Sequence, residues 1–197
     1  MDKDSLRHGD FQVRRWPLPP AVPDGLPEFL EDTLPFWGHK ETGRGIGKSC
    51  LSQWYPSPFQ ADGQHYSCME QYMMAMKAEL FGDNEIKALI LAASEPGKIK
   101  ALGRKVRGFD ESVWERFRFS IVCTGNYQKF SENEALRWFL LGTKEAVLIE
   151  ASPYDRLWGI GMGAQNPDIA YPGRWRGKNL LGFALMAVRS ALRQAQE

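Results

Sequence analysis

An acid and an amine seven residues apart, Glu70 and Lys77, are the first pair with chemical potential. They lie in Ser67-Cys68-Met69-Glu70-Gln71-Tyr72-Met73-Met74-Ala75-Met76-Lys77-Ala78-Glu79-Leu80-Phe81, whose apolar spacing predicts a helix. A helix turns about 100° and rises about 1.5 Å per residue, so the two side chains point the same way, about 10 Å apart along the axis. They flank Met74 at the border of a core stripe of Met69, Tyr72, Met73, Met76 and Leu80, with Gln71, Ala75 and Ala78 opposite. An acid and an amine at the edge of an apolar face can line a pocket. The plainer alternative is a cap glutamate and a snorkelling lysine. Ser67 and Glu70 fit the S-x-x-E capping box, and Gly82 is a good stop.

A second group follows the clearest predicted strand, Glu145 to Ala151. It reads Asp155-Arg156-Leu157-Trp158-Gly159-Ile160-Gly161-Met162-Gly163. An Asp at a strand exit, then a Trp and spaced glycines, suits a loop that holds a polar ligand against an aromatic ring. The structural alternative is an Asx turn at Asp155 with Trp158 as a core plug. Arg104 sits at a predicted helix C-terminus, where it complements the dipole or contacts a phosphate. Lys129 and Arg189 read as ordinary surface or edge cations. Gly43-Arg44-Gly45-Ile46-Gly47-Lys48-Ser49 imitates a phosphate loop. It has Thr42 where the first glycine belongs and no strand before it, so it reads as a surface loop. His8, His39 and His65 have no i, i+4 partner and no cysteine at ligand spacing, so no metal and no cofactor are expected.

The elements that must position these residues are mostly helices. The chain has 197 residues, 43% hydrophobic and 25% charged, which suits one soluble domain. A formal net charge of +1 gives no global warrant for nucleic-acid binding, although it allows a local patch. No apolar run approaches the roughly 20 residues of a membrane span, and the N-terminus has no apolar signal segment. Cys50, Cys68 and Cys123 are odd in number and far apart, which predicts reduced thiols and a cytoplasmic location. Pro17, Pro19, Pro20, Pro23 and Pro27 predict a peripheral extended arm. With a short helical turn over Glu28 to Thr33, the arm occupies residues 1–35 and the domain 36–197. Leu51 to Phe59 reads as extended, Asp62-Gly63 as a turn and Gln64 to Tyr66 as a strand. Asp83 caps a helix over 84–93 with Ile86, Leu89 and Ile90 on one face. Ser94 and Pro96 start a helix ending near Gly103, and Asp110 caps another over 111–124. Ser131 to Glu134 is a second capping box, opening a helix through Leu141 that Gly142 ends. Residues 152–177 form a long aromatic and glycine-rich loop, too aromatic for disorder. An amphipathic helix closes the chain over 178–194. The fold class is mainly α, a single compact multi-helix domain with a minor β element.

Ser52, Tyr55-Pro56, Phe59, Asp62-Gly63, Tyr66, Glu70-Gln71-Tyr72 and Lys77-Ala78 together resemble the NADAR, or YbiA-like, family. The resemblance runs on through Gly103-Arg104, Trp114, Lys129-Phe130, Leu140 to Thr143, Glu150, Ser152, Asp155, Trp158-Gly159, Gly161, Gly177, Asn179, Leu181-Gly182 and Arg189. It covers about residues 36 to 193, and the order and number of the pieces carry it. It implies a YbiA-like fold and an N-glycosidase acting on a small-molecule or nucleic-acid-linked ADP-ribosyl or phosphoribosyl substrate. Family members hydrolyse phosphorylated early intermediates of riboflavin synthesis or remove ADP-ribose from guanine bases. The resemblance carries catalytic roles onto Glu70, Lys77 and Asp155. It carries substrate-binding roles onto Trp114 and Trp158, with Arg104, Gly159, Gly161 and Asn179 in the same substrate-binding set. The arm, the Gly43 to Ser49 insertion and the expanded loop from Ala164 to Arg176 depart from the shorter riboflavin-type members and lean the reading toward ADP-ribose.

Two mechanisms fit these residues. An ionised Glu70 or Asp155 can stabilise an oxocarbenium-like centre or activate water. The family suggests instead that Lys77 attacks a ring-opened sugar to form a Schiff base. That requires its pKa to fall from about 10.4, as desolvation by Met74 and Phe81 would make it do. Trp114 and Trp158 are expected to sandwich a base. The rival classes are a binding module for NAD-like or ADP-ribosyl ligands, which has no need of Glu70, Lys77 and Asp155 together, and a structural protein, which leaves the aromatic loop unexplained.

Overall fold

The computed structural model describes residues 4–17, 25–41 and 43–195. The proline run at 19–23 lies outside the described residues. Helices dominate the rest, and no described helix is long and apolar enough to cross a membrane. The chain divides into two units, residues 1–17 with 53–133 and residues 18–52 with 134–197.

The first unit is built on α1 (Met69–Leu80). It packs against α2 (Asn84–Leu91), α3 (Pro96–Gly103) and α4 (Glu111–Glu132). Ten of its twelve residues are buried. The expected division into a core stripe and an opposite face therefore fails, because Gln71, Ala75 and Ala78 face neighbouring helices rather than water. The capping box fails too. Cys68 is the cap and makes no side-chain cap bond. The acceptor that reaches back to Ser67 is Gln71 Oε1, at 2.7 Å from the Ser67 N–H. Gln71 Nε2 meanwhile donates to the carbonyls of Ile90, Leu91 and Ala93 at 2.8 to 3.1 Å, partners for the orphan carbonyls at the α2 C-terminus. Gly82 ends α1 as expected, at φ +70°. The Gly82 and Asp83 N–H groups donate to Glu79 and Ala78 carbonyls at 3.0 and 2.8 Å, the Schellman pattern. Asp83 caps α2, but only Ile90 is buried there and Leu89 is exposed.

The α4 helix runs eight residues past its expected end at 124. Ser131 and Glu132 are its last turn, not the start of the next helix. Gly125 and Asn126 resemble a break in sequence, yet both are buried inside it. A Cβ on Gly125 would lie 2.4 Å from the Tyr72 ring, so glycine is what lets α4 approach α1. The N-terminal residues also depart from expectation. Ser5–His8 (β1) and Phe11–Arg14 (β2) form an antiparallel hairpin that packs on α4. Leu6, Phe11, Val13 and Trp16 are buried, and Trp16 Nε1 donates to Thr124 Oγ1 at 3.1 Å. The prolines mark only the segment after the hairpin. Phe59–Ala61 (β4) and Gln64–Tyr66 (β5) form a hairpin about the expected turn, with Asp62 and Gly63 at φ +50° and +77°.

In the second unit, Thr33–Phe36 (β3) pairs in parallel with Val147–Glu150 (β6). The helical turn expected over Glu28 to Thr33 does not form: residues 28–32 are irregular and lead into β3, a four-residue strand whose Leu34 and Pro35 carry little periodicity. Lys48–Leu51 is a short 3-10 helix, where an extended run was expected to begin. Glu134–Gly142 (α5) and Leu180–Gln194 (α6) complete the unit, and α6 packs on β6. A Cβ on Gly182 would lie 2.0 Å from the Leu148 carbonyl oxygen, which fixes how closely helix and strand meet. Residues 152–177 are irregular as expected, apart from a 3-10 turn at Pro172–Arg174.

Candidate active site

Lys77 is half-buried in the last turn of α1. Its Nζ donates to the Gly103 carbonyl at 3.0 Å. It lies 4.1 Å from the Phe109 ring centre and 5.8 Å from that of Trp114. Phe81 meets Phe109 edge-on at 5.3 Å. Gly103 makes the arrangement possible, because a Cβ there would lie 2.0 Å from Met74 Sδ. The absent side chain lets α3 press onto α1 and brings its terminal carbonyl to the amine. Burial lowers the Lys77 pKa from the ordinary lysine value, and the Glu111 carboxylate partly opposes this. Desolvation disfavours the ammonium, so the direction favours a nucleophilic amine.

Glu70 lies two turns back in the first turn of α1, where the helix dipole favours its negative charge. It is 3% exposed and its N–H donates to the Gln53 carbonyl at 2.9 Å. Gln53 and Asn126 are buried beside it in the chain's hydrogen bonding, Asn126 Nδ2 donating to the Val122 carbonyl at 2.9 Å. Trp114 is buried at the start of α4. Arg104 follows Gly103 directly as the exposed C-cap residue of α3. Next to the Lys77 rings lies an open groove of about 200 Å³ lined by Phe81, Gly82, Asp83, Arg107 and Gly108. Asp83 takes the Arg107 N–H, Nε and Nη2, and these bonds hold its carboxyl well below the usual carboxylate range.

The second unit gathers the other five expected residues. Asp155 Oδ1 accepts from Leu157 and Trp158 N–H at 2.8 and 2.7 Å. This is the Asx turn of the structural alternative. The Asp155 carbonyl accepts from Gly161 N–H at 3.0 Å. Gly159 is packed so that a Cβ would lie 2.8 Å from the Glu150 carbonyl oxygen, and Gly161 takes φ +68°. Asn179 is fully buried in the left-handed region at φ +52°. Its Oδ1 accepts from Glu150 N–H and its Nδ2 donates to the Leu148 carbonyl, both at 2.9 Å. Both ends of that amide are engaged by β6, so Asn179 ties the start of α6 to that strand.

Lys129 and Arg189 are not surface cations. Lys129 is fully buried, with its Nζ 4.9 Å from the Phe130 ring centre and 5.8 Å from that of Tyr55. Arg189 Nη1 donates to Thr143 Oγ1 at 2.7 Å and the Ala146 carbonyl at 3.0 Å, and burial lowers its pKa. Sequence reasoning also missed Phe109 and the Gly103 carbonyl. A search for acids, amines and imidazoles passes over an aromatic in a loop, and a backbone acceptor has no residue-type signature. The three cysteines are buried free thiols, and the described residues hold no cluster of His, Cys, Asp and Glu suited to a metal ion.

The NADAR domain family matches residues 35–193. N-glycosidase R617 of Acanthamoeba polyphaga mimivirus is 44% identical over 161 residues, spanning 79% of this chain and 95% of its own. Protein irg-1 of Caenorhabditis elegans is 36% identical over 75% of this chain and 77% of its own. N-glycosidase YbiA of Escherichia coli (strain K12) is 30% identical over 68% of this chain and 76% of its own. The solution NMR structure of E. coli YbiA superposes with a TM-score of 0.68 at 25% identity, covering 87% of this chain and 92% of that one. The chain belongs to the NADAR family.

Proposed function

We propose that this chain, a hydrolase of N-glycosyl compounds like its named relatives, removes ADP-ribose from guanine bases, with the activity carried by the NADAR stretch. The observation that carries the mechanism is the half-buried Lys77 amine, its pKa lowered by desolvation and its Nζ held by the Gly103 carbonyl beside Phe109 and Trp114. The ribosyl ring opens at its C1–O4 bond, O4 keeping the electron pair and taking a proton to become a hydroxyl, which leaves C1 as an iminium to the base nitrogen. The Lys77 amine adds to C1. The base leaves with a proton, which leaves Lys77 joined to C1 as a protonated imine. Water adds to C1, the amine departs, and the freed aldehyde recloses to ADP-ribose. Glu70, buried on the same helix, is assigned the proton transfers. Trp114 is assigned the sugar or base face of the Lys77 environment. Asp155 and Trp158 are assigned to shaping the 152–177 loop, on the turn bonds that Asp155 accepts.

The lean to ADP-ribose over a riboflavin-pathway intermediate rests on the resemblance, by which the Gly43 to Ser49 loop and the long loop through Arg176 depart from the shorter riboflavin-type members. The test offers purified protein guanine-linked ADP-ribose on DNA and, separately, phosphoribosyl amine intermediates of riboflavin synthesis. Released base is followed by mass spectrometry. Release from the first substrate is expected, and release from the second alone would overturn the assignment. Lys77→Ala should abolish turnover and keep the far-UV circular dichroism of the parent; loss of the folded spectrum would make Lys77 a structural residue.

A further inference from the structure

Three groups of the first unit surround the Lys77 amine, and one of them faces solvent. The Gly103 carbonyl, 3.0 Å from Nζ, belongs to a buried residue. Trp114, its ring centre 5.8 Å away, is buried too. Phe109 is the nearer ring, with its centre 4.1 Å from Nζ, yet it is 41% exposed. At that distance the ring is in contact with the amine, and no sugar carbon fits between them.

The chain neighbours of Phe109 place its ring there. Arg107 is tied to the buried Asp83 carboxylate by its N–H at 2.9 Å, its Nε at 3.0 Å and its Nη2. Asp110 is fixed as the α4 cap, its Oδ1 accepting from the Ser112 and Val113 N–H groups at 2.8 and 3.1 Å. Only Gly108 and Phe109 lie between these anchors. Gly108 takes φ +69°, which a side chain would strain. Phe81 meets the Phe109 ring edge-on at 5.3 Å. The open groove of about 200 Å³ that Phe81, Arg107 and Gly108 help to line gives the ring space to turn aside, since a cavity of about 150 Å³ takes a benzene ring.

A neutral lysine amine adds to any free aldehyde. The N–C bond forms, the carbonyl oxygen leaves as water with the two amine protons, and an imine remains. A stray aldehyde bound in this way would block the nucleophile. We propose that Phe109 is a positioning residue that covers the solvent side of the Lys77 amine and selects a sugar carbon delivered by bound substrate over free aldehydes in solution; this rests on Lys77 as the nucleophile. Opening the cover breaks the contacts of the ring with Lys77 and Phe81, together worth a factor of about five or more in population.

The test is trace labelling of the full chain with acetic anhydride, from neutral pH to above the ordinary lysine pKa of about 10.4. Peptide mapping compares acetylation of Lys77 with that of the exposed Lys98 in the same sample. Both lysines are neutral on the high-pH plateau, so the plateau rate reads access and not protonation. Phe109→Ala should raise the Lys77 plateau about fivefold or more and leave that of Lys98 unchanged. Phe109→Tyr keeps the ring and should label as the parent does. An unchanged Lys77 plateau in Phe109→Ala would overturn the proposal, as would an equal rise in Phe109→Tyr. A second arm uses glycolaldehyde, a free aldehyde without base or phosphate, with sodium cyanoborohydride, whose hydride reduces the imine to a stable secondary amine. Phe109→Ala should gather the Lys77 adduct about fivefold faster than the parent, or more. Equal rates would overturn the selectivity role. Neither arm needs turnover, so a parent that releases no ADP-ribose would remove the substrate assignment and leave this test standing.

Discussion

At the scale of single residues, the account turns on one amine. A lysine nucleophile is ordinarily protonated at neutral pH, with a pKa of about 10.4. Here burial lowers that value, with Glu111 opposing. The sign is fixed by which form reacts: below the lowered pKa the ammonium is unreactive, and the rate rises as pH passes through it. The pH profile of kcat/KM should therefore show an ascending limb with its midpoint below about 10.4. A limb at the ordinary lysine value would remove the desolvation argument. Glu111→Gln removes the charge that favours the ammonium, so the same limb should move to lower pH. A shift upward would contradict the stated electrostatics.

At the scale of elements, glycines decide how closely the helices meet. Gly125→Ala offers α4 a better helix former, worth about 1 kcal/mol in isolation. The added Cβ would lie 2.4 Å from the ring of the buried Tyr72. The clash should win, with a net loss of about 1–3 kcal/mol in urea unfolding. A stabilised variant would mean that the α1–α4 approach is looser than described. This position also shows what the sequence could and could not reveal. The capped starts at Asp83 and Asp110, the Asp62-Gly63 turn and the Gly82 stop were legible because each is local chemistry. The length of α4 was not, since Gly125 is a break by propensity and a requirement by packing. β3 was hidden because a four-residue strand gains its stability from a partner over a hundred residues away. Of the site, Glu70 and Lys77 could be placed on one helix by spacing alone. Their surroundings could not, because the Gly103 carbonyl and Phe109 come from other elements.

At the scale of the whole molecule, residues outside the family match are part of the folded structure. The β1–β2 hairpin precedes residue 35, where the match begins, yet it packs on α4 and buries Leu6, Phe11 and Val13, with Trp16 buried just after it. Trp16, 6% exposed and bonded to Thr124, should act as its anchor. Trp16→Ala is expected to cost about 3–5 kcal/mol in urea unfolding, and a cost within error of zero would return the segment to the peripheral arm that its prolines suggest.

The most direct measurement is reductive trapping. The protein is incubated with guanine-linked ADP-ribose and sodium cyanoborohydride, and intact mass and peptide mapping locate the adduct. The account predicts release of guanine and a stable ADP-ribosyl adduct on the peptide carrying Lys77, absent from Lys77→Ala. Turnover that proceeds with no adduct, an adduct on another lysine, or full activity in Lys77→Ala would contradict it.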